Sequence, residues 1–141
     1  MILCDVNIFI NLYLTHNSEH KKIKSWFEEF LLSGENFAYS ELVLSSFLRI
    51  ISNPKMTKFA VPIDSALKFT DKIMQITHAI SIRPGVKHWN IFSNYCSSLK
   101  LKANLIPDAY LAALAVEHEC TWVSQDEDFK IFPNLDWKKV V

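Results

Sequence analysis

The sequence predicts an α/β fold, a three-layer sandwich in which helices flank a mainly parallel central sheet. Short apolar segments of strand length alternate with longer amphipathic segments, and this alternation is typical of parallel βαβ units. Half of the residues are hydrophobic and 21% are charged, a composition that allows a chain to bury a core. The 141 residues correspond to one ordinary domain, so we expect residues 1–141 to form a single domain.

The first three predicted elements are a strand and two helices. Residues 1–4 form a short apolar run that fits a buried strand, and residues 6–13 continue as an apolar helix. A second helix, capped by Asn17 or Ser18, extends to about Leu32. The residues that form one apolar face of this helix are Ile23, Trp26, Phe27, Phe30 and Leu31.

A second strand and two more helices make up the middle of the chain. Phe37–Tyr39 is a short strand candidate, and Ser40 is the expected N-cap of a helix that runs to about Ile51. Pro62 and Asp64 open a further helix. The apolar residues of that helix are Ala66, Leu67, Phe69, Ile73, Met74 and Ile76.

The last part of the chain contains three strand candidates and two helices. Residues 78–82 are a strand candidate, and residues 87–99 have helical periodicity. Residues 107–118 form a helix whose first turn tolerates its proline. Residues 121–124 and residues 136–140 are the fourth and fifth strand candidates.

The composition excludes several kinds of site. Fifteen basic and fifteen acidic side chains cancel, so the net charge provides no argument for nucleic-acid binding. The two glycines, Gly34 and Gly85, are too few and too far apart for a GxGxxG or Walker A phosphate-binding loop. The three cysteines form no CxxC pair, so neither a zinc site nor a disulfide framework is expected.

The N-terminal apolar stretch predicts neither a membrane span nor a signal peptide. It is too short, Asp5 interrupts it, and it lacks a basic start. Free cysteines favour a reducing compartment. We therefore expect a cytoplasmic protein with no membrane association.

Four of the seven aspartates are predicted to meet at one edge of the sheet. Asp5 ends the first strand, and Asp126 and Asp128 follow the fourth. Asp108 lies in the first turn of the helix that precedes the fourth strand. Neighbouring carboxylates raise one another's cost of ionisation, and a divalent cation removes that cost. Because Mg²⁺ and Mn²⁺ prefer oxygen ligands, the sequence predicts an Mg²⁺ or Mn²⁺ site at the carboxyl edge.

Three segments carry a resemblance to a known family. They are Asp5-Val-Asn7, Pro107-Asp-Ala-Tyr-Leu-Ala-Ala-Leu-Ala115 and Ser124-Gln-Asp-Glu-Asp-Phe129. Their order and spacing resemble those of PIN domains over essentially the whole chain, which implies a PIN-like, Rossmannoid version of the predicted sandwich. Two further features resemble VapC-type toxins of type II toxin–antitoxin systems: Phe47-Leu-Arg-Ile-Ile-Ser-Asn-Pro54, and Pro84-Gly85 ahead of His88-Trp89.

The resemblance implies a metal-dependent endoribonuclease that hydrolyses an RNA phosphodiester with metal-activated water and leaves a 5′-phosphate. In this hypothesis the ion is held by Asp5, Asp108 and Asp126. Asp128 completes these ligands or hydrogen-bonds to them. The residues with expected supporting roles are Asn7, Ser124 and Arg49.

One position departs from the family pattern. PIN domains usually have a glutamate inside the helix after the second strand, about six residues beyond a serine like Ser40, and this chain has Ser46 there. Glu41 is nearby, but five residues along a helix separate the two positions by about 7.5 Å. We therefore expect one carboxylate fewer at the site, with Glu41 mainly a first-turn acid.

RNA contacts and protein partners are expected in addition to the four aspartates. The lysines that are candidates to hold the RNA backbone are Lys21, Lys22, Lys24, Lys55, Lys58, Lys100 and Lys102. Trp89 and Tyr95 have helical spacing, which predicts a place in the core rather than stacking on bases. The resemblance also implies a homodimer and a small cognate antitoxin, similar to VapB, that masks the acidic groove.

Two other functions stay open at this point. One is another metal-dependent phosphoesterase, although a haloacid-dehalogenase-like phosphatase needs a second aspartate where Asn7 stands. The other is a PIN-like scaffold with impaired catalysis, which the missing glutamate supports.

Overall fold

The computed structural model describes residues 1–58 and 61–141. Within these ranges the central sheet has five strands, all parallel, in the order β3-β2-β1-β4-β5. The strands are β1 Ile2–Cys4, β2 Phe37–Tyr39, β3 Ile80–Ser81, β4 Thr121–Val123 and β5 Trp137–Lys138. The predicted α/β sandwich is confirmed, and the strand candidates at residues 78–82 and 136–140 are shorter than predicted.

Six α-helices connect the strands in the described ranges. They are α1 Val6–Tyr13, α2 His20–Leu32, α3 Glu41–Ile51, α4 Ile63–Met74, α5 His88–Ser98 and α6 Leu105–Glu117. A 3₁₀ helix, Glu127–Ile131, which the residue pattern does not predict, follows β4. None of the helices in these ranges has the length and apolar character needed to cross a membrane.

Two helices start at other residues than predicted. α2 begins at His20 without a capping side chain. Asn17, one of the expected caps, instead donates a side-chain hydrogen bond to Asn11 at 3.1 Å, which ties it to α1. α6 begins at Leu105, two residues before Pro107, and the proline still lies in the first turn, where its missing N–H costs no helical hydrogen bond.

The core is centred on the middle strands of the sheet. Leu3, Ala38 and Trp122, one from each of β1, β2 and β4, are 0% exposed. Small side chains allow α6 to pack closely, and its fully buried alanines are Ala109, Ala112, Ala113 and Ala115. Helices α1, α3 and α4 meet through the rings of Tyr13, Phe47 and Phe69, whose centroids are 4.9–5.7 Å apart.

Some apolar residues of the helices remain exposed. Leu31 is 42% exposed, although its neighbours on the apolar face of α2 are largely buried. Trp89 is 70% exposed, so the prediction that it lies in the core is wrong, whereas Tyr95 on the same helix is buried. Tyr95 is six positions after Trp89, which is a rotation of about 600° along the helix. Because this is not close to a whole number of turns, the two side chains leave α5 on different faces.

The parallel register brings the ends of β1 and β4 together. Cys4 pairs with Val123, so the residues that follow, Asp5 and Ser124, leave the sheet side by side. This is the carboxyl edge of the sheet, where parallel α/β folds place their ligand sites.

Candidate active site

Asp5 occupies the junction between β1 and α1. Its backbone N–H continues the sheet pairing by donating to the Val123 carbonyl at 2.9 Å. Its side chain caps α1, because Oδ1 accepts the Val6 N–H at 2.7 Å. The residue is 7% exposed, so this carboxylate forms the buried end of the site.

Ser124 and Asn7 hold the second oxygen of Asp5. The Ser124 hydroxyl donates to Asp5 Oδ2 at 2.6 Å, and Asn7 Nδ2 donates to the same oxygen at 3.0 Å. Ser124 Oγ also accepts Asn7 Nδ2 at 3.0 Å and the Asp126 N–H at 3.1 Å. Ser124 and Asn7, the two residues predicted to support the site, therefore connect Asp5 to the acidic segment after β4, which comprises residues 126–128.

Asp108, Asp126 and Asp128 form an acidic cluster at the same edge. Each offers one carboxylate oxygen, and these three oxygens lie within 4.8 Å of one another. Asp108 extends from the first turn of α6, and Asp126 caps the 3₁₀ helix by accepting the Asp128 N–H on Oδ1 at 2.9 Å. Asp5 is not one of these three and lies beside them, within electrostatic range of Asp108 and Asp126.

The electrostatics of the site disfavour its own negative charge. Burial raises the pKa of Asp108, the charges of Asp126, Asp5 and Asp128 raise it further, and together they bring it to about 6. Burial also raises the pKa of Asp5, against the opposing effect of its hydrogen bonds from Ser124 and Val6. No lysine, arginine or histidine of the described ranges forms an ion pair with any of these aspartates. A bound cation would supply the missing positive charge.

The donor set fits a small divalent ion. Mg²⁺ binds oxygen at about 2.1 Å, so ligands on opposite sides of one ion are roughly 4.2 Å apart. Oxygens that already lie within 4.8 Å of one another reach this spacing by small side-chain movements. Three carboxylates also leave room for the waters that Mg²⁺ keeps.

Ser46, and not Glu41, faces the site from α3. Ser46 lines a small cavity together with Asp5 and Pro107. Glu41 accepts a hydrogen bond from Arg83 Nη2 at 2.9 Å and lines a different depression with Arg83 and Tyr110. The position that the family usually fills with glutamate is therefore uncharged in this chain, as expected from the sequence.

Arg49 lies on the same side of α3 as Ser46. It follows Ser46 by three residues, a spacing that places two side chains on one helix face. It is exposed and forms no ion pair within the described ranges. The structure therefore leaves its guanidinium available to a ligand, and its supporting role stays a prediction. The seven candidate lysines are also exposed.

Gln125 is a structural residue of the site that the sequence analysis does not identify. Its backbone N–H donates to Asn7 Oδ1 at 3.2 Å, and its side-chain Nε2 donates to Glu19 Oε2 at 3.3 Å. Its Oε1 accepts the N–H groups of Val140 at 2.8 Å and Val141 at 3.3 Å. Gln125 thus ties the acidic segment to Glu19, which immediately precedes α2, and to Val140 and Val141.

Replacing Ser124 by alanine is expected to weaken divalent-ion binding about 10- to 100-fold, the usual cost of losing an orienting hydrogen bond behind a metal ligand. The variant loses the hydroxyl that holds Asp5 and the Asp126 N–H. Calorimetric titration with Mn²⁺ measures the change. Ser45→Ala is the control, because Ser45 is exposed on α3. Equal Mn²⁺ affinity in both variants would contradict this role of Ser124.

The fold and the site together define a class: an α/β protein with a cluster of carboxylates, spaced to fit a divalent cation, at the carboxyl edge of a parallel sheet. The sequence model of the PIN domain matches residues 2–135, and the chain belongs to the PIN-domain family. The resemblance found in the sequence is thereby confirmed.

Curated relatives cover almost the entire chain. Ribonuclease VapC25 of Mycobacterium tuberculosis is 32% identical over 135 residues, which are 96% of this chain and 95% of the relative. Ribonuclease VapC31 of the same species is 31% identical with the same coverage. The expected kinship with VapC ribonucleases is therefore confirmed.

Solved structures share the fold. The VapBC2 complex of Rickettsia felis, bound to a promoter DNA fragment, contains a chain that superposes with a TM-score of 0.71 at 19% identity. VapBC-1 of nontypeable Haemophilus influenzae gives a TM-score of 0.72 at 15% identity. In both cases 99% of this chain matches 98% of the other, so the likeness covers the complete fold.

Proposed function

We propose that this chain is a metal-dependent endoribonuclease, the toxin of a toxin–antitoxin pair, and that residues 1–141 form its single nuclease domain. The observation that carries the proposal is the convergence of Asp108, Asp126 and Asp128 within 4.8 Å, beside the buried Asp5. Kinship with proteins named ribonucleases supports RNA as the substrate.

The aspartates hold one Mg²⁺ or Mn²⁺ ion, which when bound supplies an activated water and neutralises charge on the reacting phosphate. Asp108, Asp126 and Asp128 are proposed to bind it directly. Asp5 adds Oδ1, which among the described residues accepts only the Val6 N–H and therefore keeps a lone pair for the ion. Through their hydrogen bonds to Asp5 and to each other, Ser124 and Asn7 orient these groups, and Arg49 holds the RNA backbone.

Cleavage of total cellular RNA by the purified protein tests this proposal. We expect cutting with Mn²⁺ or Mg²⁺, none in EDTA, and product ends that carry a 5′-phosphate. Cutting that persists in EDTA would rule out metal dependence. Tight Mn²⁺ binding without cleavage of any RNA would favour the alternative, a scaffold with impaired catalysis. That alternative is supported by Ser46, which stands where PIN domains usually have a glutamate.

Divalent-ion affinity is expected to fall as the pH drops through about 6. The pKa of Asp108 is raised to about 6 by burial and by the neighbouring carboxylates, and a metal ion binds only the deprotonated form. Below this pH the proton competes, so the affinity falls by about tenfold per pH unit. Mn²⁺ titrations at several pH values provide the measurement, and a Kd that does not change with pH would exclude Asp108 as a ligand.

The proposed partners are RNA, a second copy of the chain and a VapB-like antitoxin, all in the cytoplasm. Related folds occur in VapBC toxin–antitoxin complexes, which supports the antitoxin. A neighbouring reading frame of roughly 70–90 codons with a DNA-binding N-terminus is the expected antitoxin gene, since one small domain is sufficient to bind DNA. Co-expression of the chain with the product of that reading frame tests the antitoxin, and a stable complex supports it. Light scattering of the chain alone tests the homodimer, and a monomeric mass excludes it.

A further inference from the structure

A small cavity lies directly beside Asp5. Its volume is about 140 Å³, and its lining residues are Asp5, Val6, Leu42, Val43, Ser46, Pro107 and Leu111. Val43 and Asp5 are buried, whereas Leu42 and Pro107 are exposed, so the cavity extends from the surface to the carboxylate. Asp5 connects the cavity to the acidic cluster, because its carboxylate lies within electrostatic range of Asp108 and Asp126.

The chemistry of the cavity favours a neutral group. Apart from Asp5 and Ser46 its described lining residues are apolar, and none of them is basic. A phosphate inside the cavity would meet the Asp5 carboxylate with no basic side chain among the described lining residues to offset the repulsion, so an anionic group is disfavoured there. A sugar or a base would instead find apolar walls and two polar groups, the usual mixture in small-ligand pockets.

Ser46 keeps this space open. Its hydroxyl donates to the Leu42 carbonyl at 3.1 Å, which leaves the Ser46 oxygen free to accept a hydrogen bond. At about 140 Å³ the cavity is large enough for one ring and smaller than the roughly 300 Å³ of a pocket for a whole ligand.

We propose that this cavity binds the nucleoside part, ribose or base, of the nucleotide next to the scissile phosphate, and that it holds no second metal ion. The inference rests on the proposed ribonuclease function. One ion lies in the acidic cluster with the phosphate, and the neutral part of the same nucleotide lies beside Asp5. In this arrangement Ser46 determines substrate binding and makes no contribution to metal binding.

Metal stoichiometry is the first test. Titration of the metal-free protein with Mn²⁺ alone is expected to give one ion per chain. Two ions per chain would overturn the proposal, because the second would occupy the space beside Asp5.

Filling the cavity is the second test. Ser46→Leu is expected to weaken binding of a fluorescent single-stranded RNA about tenfold or more, as measured by anisotropy in Ca²⁺, and to leave Mn²⁺ affinity unchanged. Ser45→Leu is the matched control, because Ser45 is the exposed preceding residue of α3, and it should bind RNA like the wild type. Ser46→Thr, which adds only one methyl group, should show a smaller loss and serves if the leucine variant fails to fold.

The cavity and the ribonuclease function fail in different assays. Wild-type protein that does not cleave RNA contradicts the function, and this result does not depend on Ser46. Equal RNA binding by Ser46→Leu and Ser45→Leu contradicts the cavity alone, even if the wild type cleaves. Ribose and base are then distinguished by oligonucleotides in which the sugar or the base is changed separately.

Discussion

Replacing Asp108 by asparagine is expected to lower RNA cleavage by a factor of at least about 10² and, at the same time, to stabilise the metal-free protein. The loss follows from removing a proposed ligand of the ion that activates water. The gain in stability follows from the pKa of Asp108, which is about 6 in the folded chain, whereas the usual value is 3.8. At pH 7 the folded state must therefore hold a charge that its surroundings disfavour, and asparagine removes that cost.

The size of the stability gain in Asp108→Asn depends on pH. Because the folded pKa is the higher one, the contribution of Asp108 to stability is fully present below about pH 4 and is lost as the pH rises through about 6. The advantage of the asparagine variant should thus appear at pH 7 and vanish at pH 4. Asp108 is partly exposed, so after solvent screening we expect roughly 1 kcal/mol, or about 3–5 °C in Tm.

Asp64→Asn is the matched control for this experiment. Asp64 also lies in the first turn of a helix, α4, and therefore loses the same favourable interaction with a helix dipole. It is exposed and belongs to no acidic cluster in the part of the chain that the structure describes. RNA cleavage should be unchanged in this variant. Normal cleavage by Asp108→Asn, or a lower Tm than that of Asp64→Asn at pH 7, would refute the assignment of Asp108.

Phe129→Ala is expected to cost about 3–5 kcal/mol of unfolding free energy and also to weaken metal binding. Phe129 is 1% exposed, and its ring contacts Trp122 at 5.3 Å and Phe132 at 6.0 Å between centroids. It directly follows Asp128, so it anchors the 3₁₀ helix that contains Asp128 and that Asp126 caps. Without this anchor the acidic segment loses its fixed position.

A second phenylalanine separates the two effects of Phe129. Phe30 is 8% exposed on α2 and packs on Phe27 and Phe37, away from the acidic segment. Phe30→Ala should lower the free energy of unfolding, measured in urea, and leave the Mn²⁺ affinity of the folded protein unchanged. Phe129→Leu should recover most of both quantities. If Phe129→Ala binds Mn²⁺ as tightly as Phe30→Ala does, the ring supports the core alone.

Local sequence patterns were sufficient for the order of the elements and for the position of the site. Apolar runs of strand length, followed by helical periodicity, predict parallel strands, and parallel strands bring their carboxyl ends together. That argument alone places Asp5, Asp126 and Asp128 at one edge of the sheet, and the structure shows the last two within 4.8 Å of Asp108. The 3₁₀ helix was beyond such patterns, because Asp126 caps it with a side-chain hydrogen bond that has no periodicity.

By itself, the sequence determined the fold class, the family and the placement of the acidic residues at one edge of the sheet, because alternating patterns and short motifs are properties of neighbouring residues. Only the tertiary structure decided which side of each helix faces the site. It turned Trp89 outward, paired Glu41 with Arg83 and placed Ser46 beside Asp5. It also joined Gln125 to residues 106 positions before it and 15 after it. These outcomes depend on how helices are rotated and packed against the sheet, and distances between elements far apart in the chain are set by the packing of the whole core.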